Sequence, residues 1–285
     1  MNKYFRYLTI ADVYFAWKYK FFDIGDSDFL GHQLSGIETL KKLDSERLSF
    51  ARFGEGEFRL AFCQGDTIYE DCSRTQARIL RSILLTDDTK HTLLGMNLLF
   101  SRSHQITWIT EYMRATKVVA ELRSVKKLND ISILSRIELT DEYRRFLKVM
   151  GKYSAVTILG EASCFSLGTY VREYTEGRLD EIRSLVFSIF QANKTLVISP
   201  STPQSGGNLV ERFAAKEWNL GDITHYEIPQ KNVFSKYHEI LNYVDQNSDL
   251  FDLVVVQGGA TASILAFELP RRFGIRTLDV GGLAV

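Results

Sequence analysis

The hydrophobic pattern is clearest in the last hundred residues. Thr195-Leu-Val-Ile-Ser199 and Asp252 to Val256 are short, nearly unbroken apolar runs. Runs of that length, rich in β-branched residues, predict strands buried on both faces. Ile223 to Ile228 and Arg276 to Val280 add two more strands. Between them, apolar residues recur with helical period over Leu209 to Leu220, Phe234 to Val244 and Ala262 to Arg272. Gly221 and Gly274 stand where helices end in a left-handed residue. Strands alternating with helices at this spacing predict a parallel sheet with helices on its faces.

The first half follows the same alternation less cleanly. Residues 34 to 46 predict a short amphipathic helix with Leu34, Ile37 and Leu40 on one face. Leu48 to Arg52 predicts a strand, Ser73 to Leu85 a helix with Ile79, Leu80, Ile83 and Leu84 inward, and Leu93 to Phe100 a strand. Ile106 to Thr116, Asp141 to Met150 and Leu179 to Phe190 are helical by period, and Ala155 to Leu159 is a strand ending at Gly160-Glu161. The fold class expected is α/β: a Rossmann-like, mainly parallel sheet flanked by helices, with a helical middle segment. One domain is expected over 1–285, divided into a helical arm (1–45), a first α/β half (46–104), the helical middle (105–190) and a second α/β half (191–285).

Composition narrows the function. Lys plus Arg and Asp plus Glu are 35 each, so no basic stripe argues for nucleic acid as a partner. Cys63, Cys72 and Cys164 form no CxxC pair, which fits a reduced compartment, and the five histidines are scattered. Any metal is therefore expected on oxygen ligands. No apolar run approaches the roughly 18 residues of a membrane span, and no signal peptide is evident, so a cytoplasmic location is expected.

Residues 1–22 are unusual. Tyr4, Phe5, Tyr7, Tyr14, Phe15, Trp17, Tyr19, Phe21 and Phe22 crowd together with Lys3, Arg6, Lys18 and Lys20. Aromatic-plus-basic composition suits an interfacial segment on an anionic membrane, and it equally suits a helix packed on the domain or on a second subunit. Docking or dimerisation is favoured over peripheral contact with the inner membrane face.

The densest chemistry lies at Arg52-Phe53-Gly54-Glu55-Gly56-Glu57. On an extended chain, residues two apart point to one side, so Glu55 and Glu57 would form paired oxygens beside Arg52, suited to a hard divalent cation on a diphosphate. An ordinary solvated turn is the alternative reading. Ligands of open α/β sheets bind beyond the carboxyl ends of strands, and three further ends are suggestive. Gly258 and Gly259 with Thr261 follow Val256, Ser201 to Asn208 follows Ser199, and Lys231-Asn232 follows Ile228. Each alone reads as a helix-capping loop; together they argue for a nucleotide pocket.

These residues resemble a known family, the bacterial glycosyltransferases of the GT-D fold. Arg52 to Glu57 matches its Arg-Phe-Gly-Asp-Gly-Glu, and Lys231-Asn232-Val233-Phe234 with Tyr237 to Leu241 matches its lysine-asparagine-aromatic run and following helix. Gly259-Ala260-Thr261-Ala262 stands for Gly-Pro-Thr-Ala, and Leu278-Asp279-Val280-Gly281 for the closing Leu-Asp-Ile-Gly. The match covers about residues 46–85 and 195–281. The chain departs from the pattern in having Glu55 for Asp and Gly282 where the family has His.

The resemblance implies a transferase using a nucleotide sugar, usually a UDP-sugar with manganese, and a glycan, glycoprotein or lipid-linked acceptor. It implies that Glu55 and Glu57 handle the metal, Mn2+ or Mg2+. Arg52, Gly54, Lys231, Asn232, Gly258, Gly259 and Thr261 are expected on the donor. The catalytic candidates are Glu57 with Asp279 and Glu161, the last two as general bases at strand ends. The rival readings are a nucleotide-binding scaffold with little turnover and another Rossmann-type transferase such as a phosphotransferase.

Overall fold

A computed structural model describes residues 32–61, 69–84, 90–96, 158–162, 176–201 and 221–281, with positions 63, 66, 67, 86, 164, 165, 169, 170, 173, 174 and 209. The aromatic arm, the helices expected at 106–116 and 141–150, the loop 202–208 and nearly all of the helix expected at 209–220 lie outside the described residues.

The strands are β1 (His32–Gln33), β2 (Ser49–Phe53), β3 (Thr92–Met96), β4 (Ile158–Glu161), β5 (Lys194–Ser199), β6 (Asp222–Glu227), β7 (Leu253–Val256) and β8 (Arg276–Asp279). All pair in parallel, in the order β1-β4-β3-β2-β8-β7-β5-β6. The expected Rossmann-like parallel sheet is therefore present, with the two-residue β1, which the pattern did not predict, added at one edge. The helices are α1 (Gly36–Ser45), α2 (Glu55–Ala61), α3 (Arg74–Leu84), α4 (Leu179–Ile189), α5 (Tyr237–Gln246) and α6 (Gly259–Phe273). No described helix is long and apolar enough to cross a membrane.

Burial explains why the strands read as continuous apolar runs. Val254 and Val256 enter a core under α2, α3, α5 and α6, with Leu60, Leu80, Ile240 and Phe267. Leu253 and Val255 enter the opposite core under α1 and α4, with Leu40, Leu43, Val186 and Ile189. A strand covered on both faces has no polar side to alternate with. On the second face the Phe50 ring fills the space beside Gly95 of β3, where any side chain would collide with it. Phe50 then meets Phe165 edge-on at 5.9 Å.

Local signals set the helix ends. Ser35 and Glu38 form a reciprocal capping box at α1, and Gly274, at φ 68°, ends α6 as expected. Two boundaries differ from expectation. The segment expected as a helix from Phe234 begins as a 3-10 turn over Val233–Lys236 and becomes α-helical at Tyr237. The strand expected to end at Leu159 runs on to Glu161, which is its last residue and not the turn beyond it.

The two halves of the chain meet at β2 and β8, which share one registered pair, Phe50 with Leu278. Side chains complete this seam. Thr277 N–H donates to Ser49 Oγ at 2.9 Å, and Arg276 Nε donates to the Leu48 carbonyl at 3.0 Å. The same buried guanidinium donates to the Ile189 carbonyl at 2.6 Å and the Leu43 carbonyl at 2.9 Å. Those carbonyls belong to the C-terminal turns of α4 and α1, where partial negative charge favours a cation. Burial, aided by Arg47, pulls the Arg276 pKa down to about 10, so the group stays charged at neutral pH.

Arg276→Met is expected to leave three carbonyls without their donor and to cost about 3 kcal/mol or more in urea unfolding. Arg276→Lys should recover only part of the loss, because an ammonium cannot span three separated acceptors. An unfolding midpoint for Arg276→Met equal to the parent's would refute this role.

Candidate active site

The β2–β8 seam brings the carboxyl ends of two central strands side by side, and ligands of open α/β sheets bind beyond such ends. Arg52 is the next-to-last residue of β2 there, half-buried. The chain turns helical at once: α2 begins at Glu55, immediately after Gly54. This corrects the expected extended ridge. Positions 55 and 57 are separated by about 200° of helical rotation and do not share a side. Glu57 instead folds back, its Oε2 accepting the Gly54 N–H at 2.8 Å, as a third-position acid does at a helix start.

Asp279 ends β8 beside these residues and is 3% exposed. Its Oδ1 accepts the Gly281 N–H at 3.1 Å, and its Oδ2 accepts from Ser263 Oγ at 2.9 Å. Ser263 Oγ also reaches the Arg52 carbonyl, at 2.5 Å, so α6 ties the ends of both central strands together. Burial pushes the Asp279 carboxyl up to about 6, with the Arg52 charge opposing and the Glu57 charge adding to the rise. Glu161 ends β4, buried, with its N–H donating to Thr39 Oγ1 at 2.8 Å. Next to it, burial pushes the Cys164 thiol well up, helped by Glu161 and opposed by Arg52.

Arg52 is thus the cation that both groups feel. Its guanidinium lies against Gly281, at φ 49°, where any side chain would occupy the same space. The Arg52 Nε is buried without a hydrogen-bond partner among the described residues. Gln257, after β7, donates from Nε2 to the Gly281 carbonyl at 2.9 Å.

Arg52, Gly54, Glu57, Asp279 and Glu161 therefore converge beyond the strand ends. The remaining donor candidates form a second group around the 66–72 loop. Asn232, at φ 58°, exchanges side-chain hydrogen bonds with Asp71: Asp71 N–H to Oδ1 at 2.8 Å and Nδ2 to Asp71 Oδ2 at 2.7 Å. Lys231 beside it is exposed. Gly258 lies beneath Ile228 and Val233. Gly259, at φ 57°, starts α6, and Thr261 is fully buried, its hydroxyl donating to Glu70 Oε1 at 2.5 Å. Glu70 Oε2 accepts the Phe234 N–H at 3.4 Å. Burial raises the Glu70 pKa, and the bonds from Thr261 and Phe234 oppose the rise. The α6 N-terminus, expected to face a phosphate, carries the chain's own carboxylate.

Ser263, Gln257 and Glu70 were not among the sequence candidates. Ser263 left a signal: it is a polar residue inside the apolar run Ala260 to Ala266, and a buried hydroxyl needs a partner. Glu70 left none, because only the fold brings it to a helix 191 positions further on. Among the described residues no group of three or more His, Cys, Asp and Glu is arranged to hold a metal.

The Asp279 environment has a thermodynamic consequence. The folded chain holds this proton more tightly than the unfolded chain between pH about 4 and about 6, so stability falls as pH rises through that window. The full cost, on the order of 3 kcal/mol, applies above it. Asp279→Asn cannot ionise, so its stability relative to the parent should rise by up to that amount between pH 4 and pH 7.5 in urea titrations. A gap that does not change with pH would overturn this account.

No sequence-family model matches the chain, and no curated protein matches it. Solved structures do. One, described as a highly conserved domain of unknown function 1792 with a distinct glycosyltransferase fold, is 19% identical, with a TM-score of 0.62 over 90% of this chain and 79% of that one. A selenomethionine structure of domain of unknown function 1792 is 20% identical, with a TM-score of 0.63 over 95% and 82%. A third, a new glycosyltransferase of this kind from Streptococcus sanguinis, is 19% identical, with a TM-score of 0.61 over 88% and 81%. The chain therefore has the distinct glycosyltransferase fold described for domain of unknown function 1792.

Proposed function

We propose that the protein is a nucleotide-sugar-dependent glycosyltransferase, taking its sugar from a UDP-sugar and passing it to a glycan, glycoprotein or lipid-linked acceptor. The observation that carries this reading is the convergence of Arg52, Glu57, Asp279 and Glu161 beyond the carboxyl ends of the central strands of a sheet with a glycosyltransferase fold. In sugar transfer the bond from the anomeric carbon to the diphosphate breaks, and its electron pair leaves on the diphosphate. A fixed cation at that point lowers the barrier, and Arg52 supplies one without a carboxylate in ion-pair contact among the described residues. The acceptor hydroxyl must lose its proton as it attacks. A carboxyl with a pKa near 6 is ionised at neutral pH yet basic enough to take that proton, which favours Asp279 over Glu161 as the base.

Oxygen ligands are the right chemistry for manganese or magnesium. Glu57, one oxygen of which is engaged by Gly54, would hold the ion together with the diphosphate. Such an ion would neutralise charge on the departing diphosphate. The capping role of Glu57 also favours a second reading, a nucleotide-binding scaffold in which this acid serves only the fold.

Slow hydrolysis of a panel of UDP-, GDP-, TDP- and CMP-sugars separates the two. The transferase reading expects hydrolysis of a UDP-sugar, reduced at least about 100-fold by Arg52→Met; a scaffold binds the nucleotide without turnover. In calorimetry, UDP is expected to bind more tightly with manganese than with chelator, and Glu57→Gln should narrow that difference. Equal affinities in the parent would remove the metal from this account.

A further inference from the structure

Building on the nucleotide-sugar reading, we propose that Tyr69 is the stacking platform for the base of the donor nucleotide. Tyr69 is 47% exposed, one of few large apolar side chains so open to solvent among the described residues. Its backbone is tightly held. Its N–H donates to Thr67 Oγ1 at 3.3 Å, and its carbonyl accepts the Asn232 N–H at 2.7 Å. On one side, Thr67 N–H donates to the Glu70 carbonyl at 2.8 Å; on the other, Asp71 and Asn232 exchange side-chain bonds. Glu70 then pins the loop to the start of α6 through Thr261. An exposed aromatic ring on a backbone this constrained loses little freedom when something stacks on it.

The position suits a base. A side chain on Gly259 would come within 3.4 Å of the Tyr69 Cβ, so Tyr69 borders the carboxyl end of β7. β8 alone separates β7 from β2, where Arg52 stands. Two strand spacings make roughly 10 Å, a distance that a nucleoside diphosphate bridges from its base to its phosphates. Glu70 already holds the α6 N-terminus, so those phosphates are assigned to Arg52, which lies across Gln257 and Gly281 and has no carboxylate in ion-pair contact among the described residues. The donor therefore lies across the ends of β7, β8 and β2, base on Tyr69 and diphosphate at Arg52. Stacking tolerates any base, so Tyr69 provides affinity and not the choice among nucleotides.

The test measures dissociation constants for UDP and for inorganic diphosphate, both with manganese, on the parent, Tyr69→Ala and Tyr69→Phe. The expected result is a loss of about tenfold or more in UDP affinity for Tyr69→Ala, with diphosphate affinity unchanged and Tyr69→Phe within about twofold of the parent. Unchanged UDP affinity in Tyr69→Ala overturns the proposal, and so does an equal loss for UDP and diphosphate, which would mark a collapsed loop. A parent that binds no UDP or any other nucleoside diphosphate overturns the nucleotide-sugar reading itself, and the base platform with it.

Discussion

The structure depends on a seam that backbone pairing hardly closes. β2 and β8 join the two halves of the chain through one registered residue pair, and both carry their candidate site residues at the same end. What a longer ladder would supply, side chains supply here: Ser49 accepts a strand N–H, Arg276 gathers three carbonyls and Ser263 bridges the two strand ends. A buried cation that answers only to carbonyls is a demanding device, since removing it leaves every acceptor unpaired at once. It lets two helix C-termini and two strands be fixed by one residue at the base of the sheet, opposite the site.

At the other end of the seam the electrostatics are deliberately unbalanced. Asp279 and Glu161 are both buried near one guanidinium, and Glu57 adds further negative charge. Such an arrangement costs stability, as the raised Asp279 pKa records, and it is the kind of cost that functional sites carry. A ligand that brings positive charge, or that draws Arg52 toward a departing anion, changes the balance in a way that no interior ion pair would allow.

Glu70 shows how a fold reassigns a feature that looks general. A glycine turn leading into a helix invites an anion, and an anion is there, but it belongs to the protein. The dipole of α6 is spent on anchoring the loop that carries Glu70, and on the proposed reading binding chemistry moves two strands along, to Arg52, and outward, to Tyr69. The same loop thereby gains the rigidity that makes an exposed aromatic useful.

The parallel sheet, its flanking helices and most element ends were determined by the sequence, because burial on both faces writes itself as unbroken apolar runs such as Leu253–Val256, and because Ser35, Glu38 and Gly274 act on their immediate neighbours. The place of Arg52, Asp279 and Glu161 as charged residues at strand ends was legible too. Only the tertiary structure decided which of them meet. It wound Gly54 to Glu57 into a helix, so that two acids two apart ceased to be a pair, and it sent Glu70 to Thr261 and Ser263 to Asp279. Hydrogen bonds between residues far apart in the chain have no period and no local signature; they exist only once strand order has brought the ends of β2, β8 and β7 side by side.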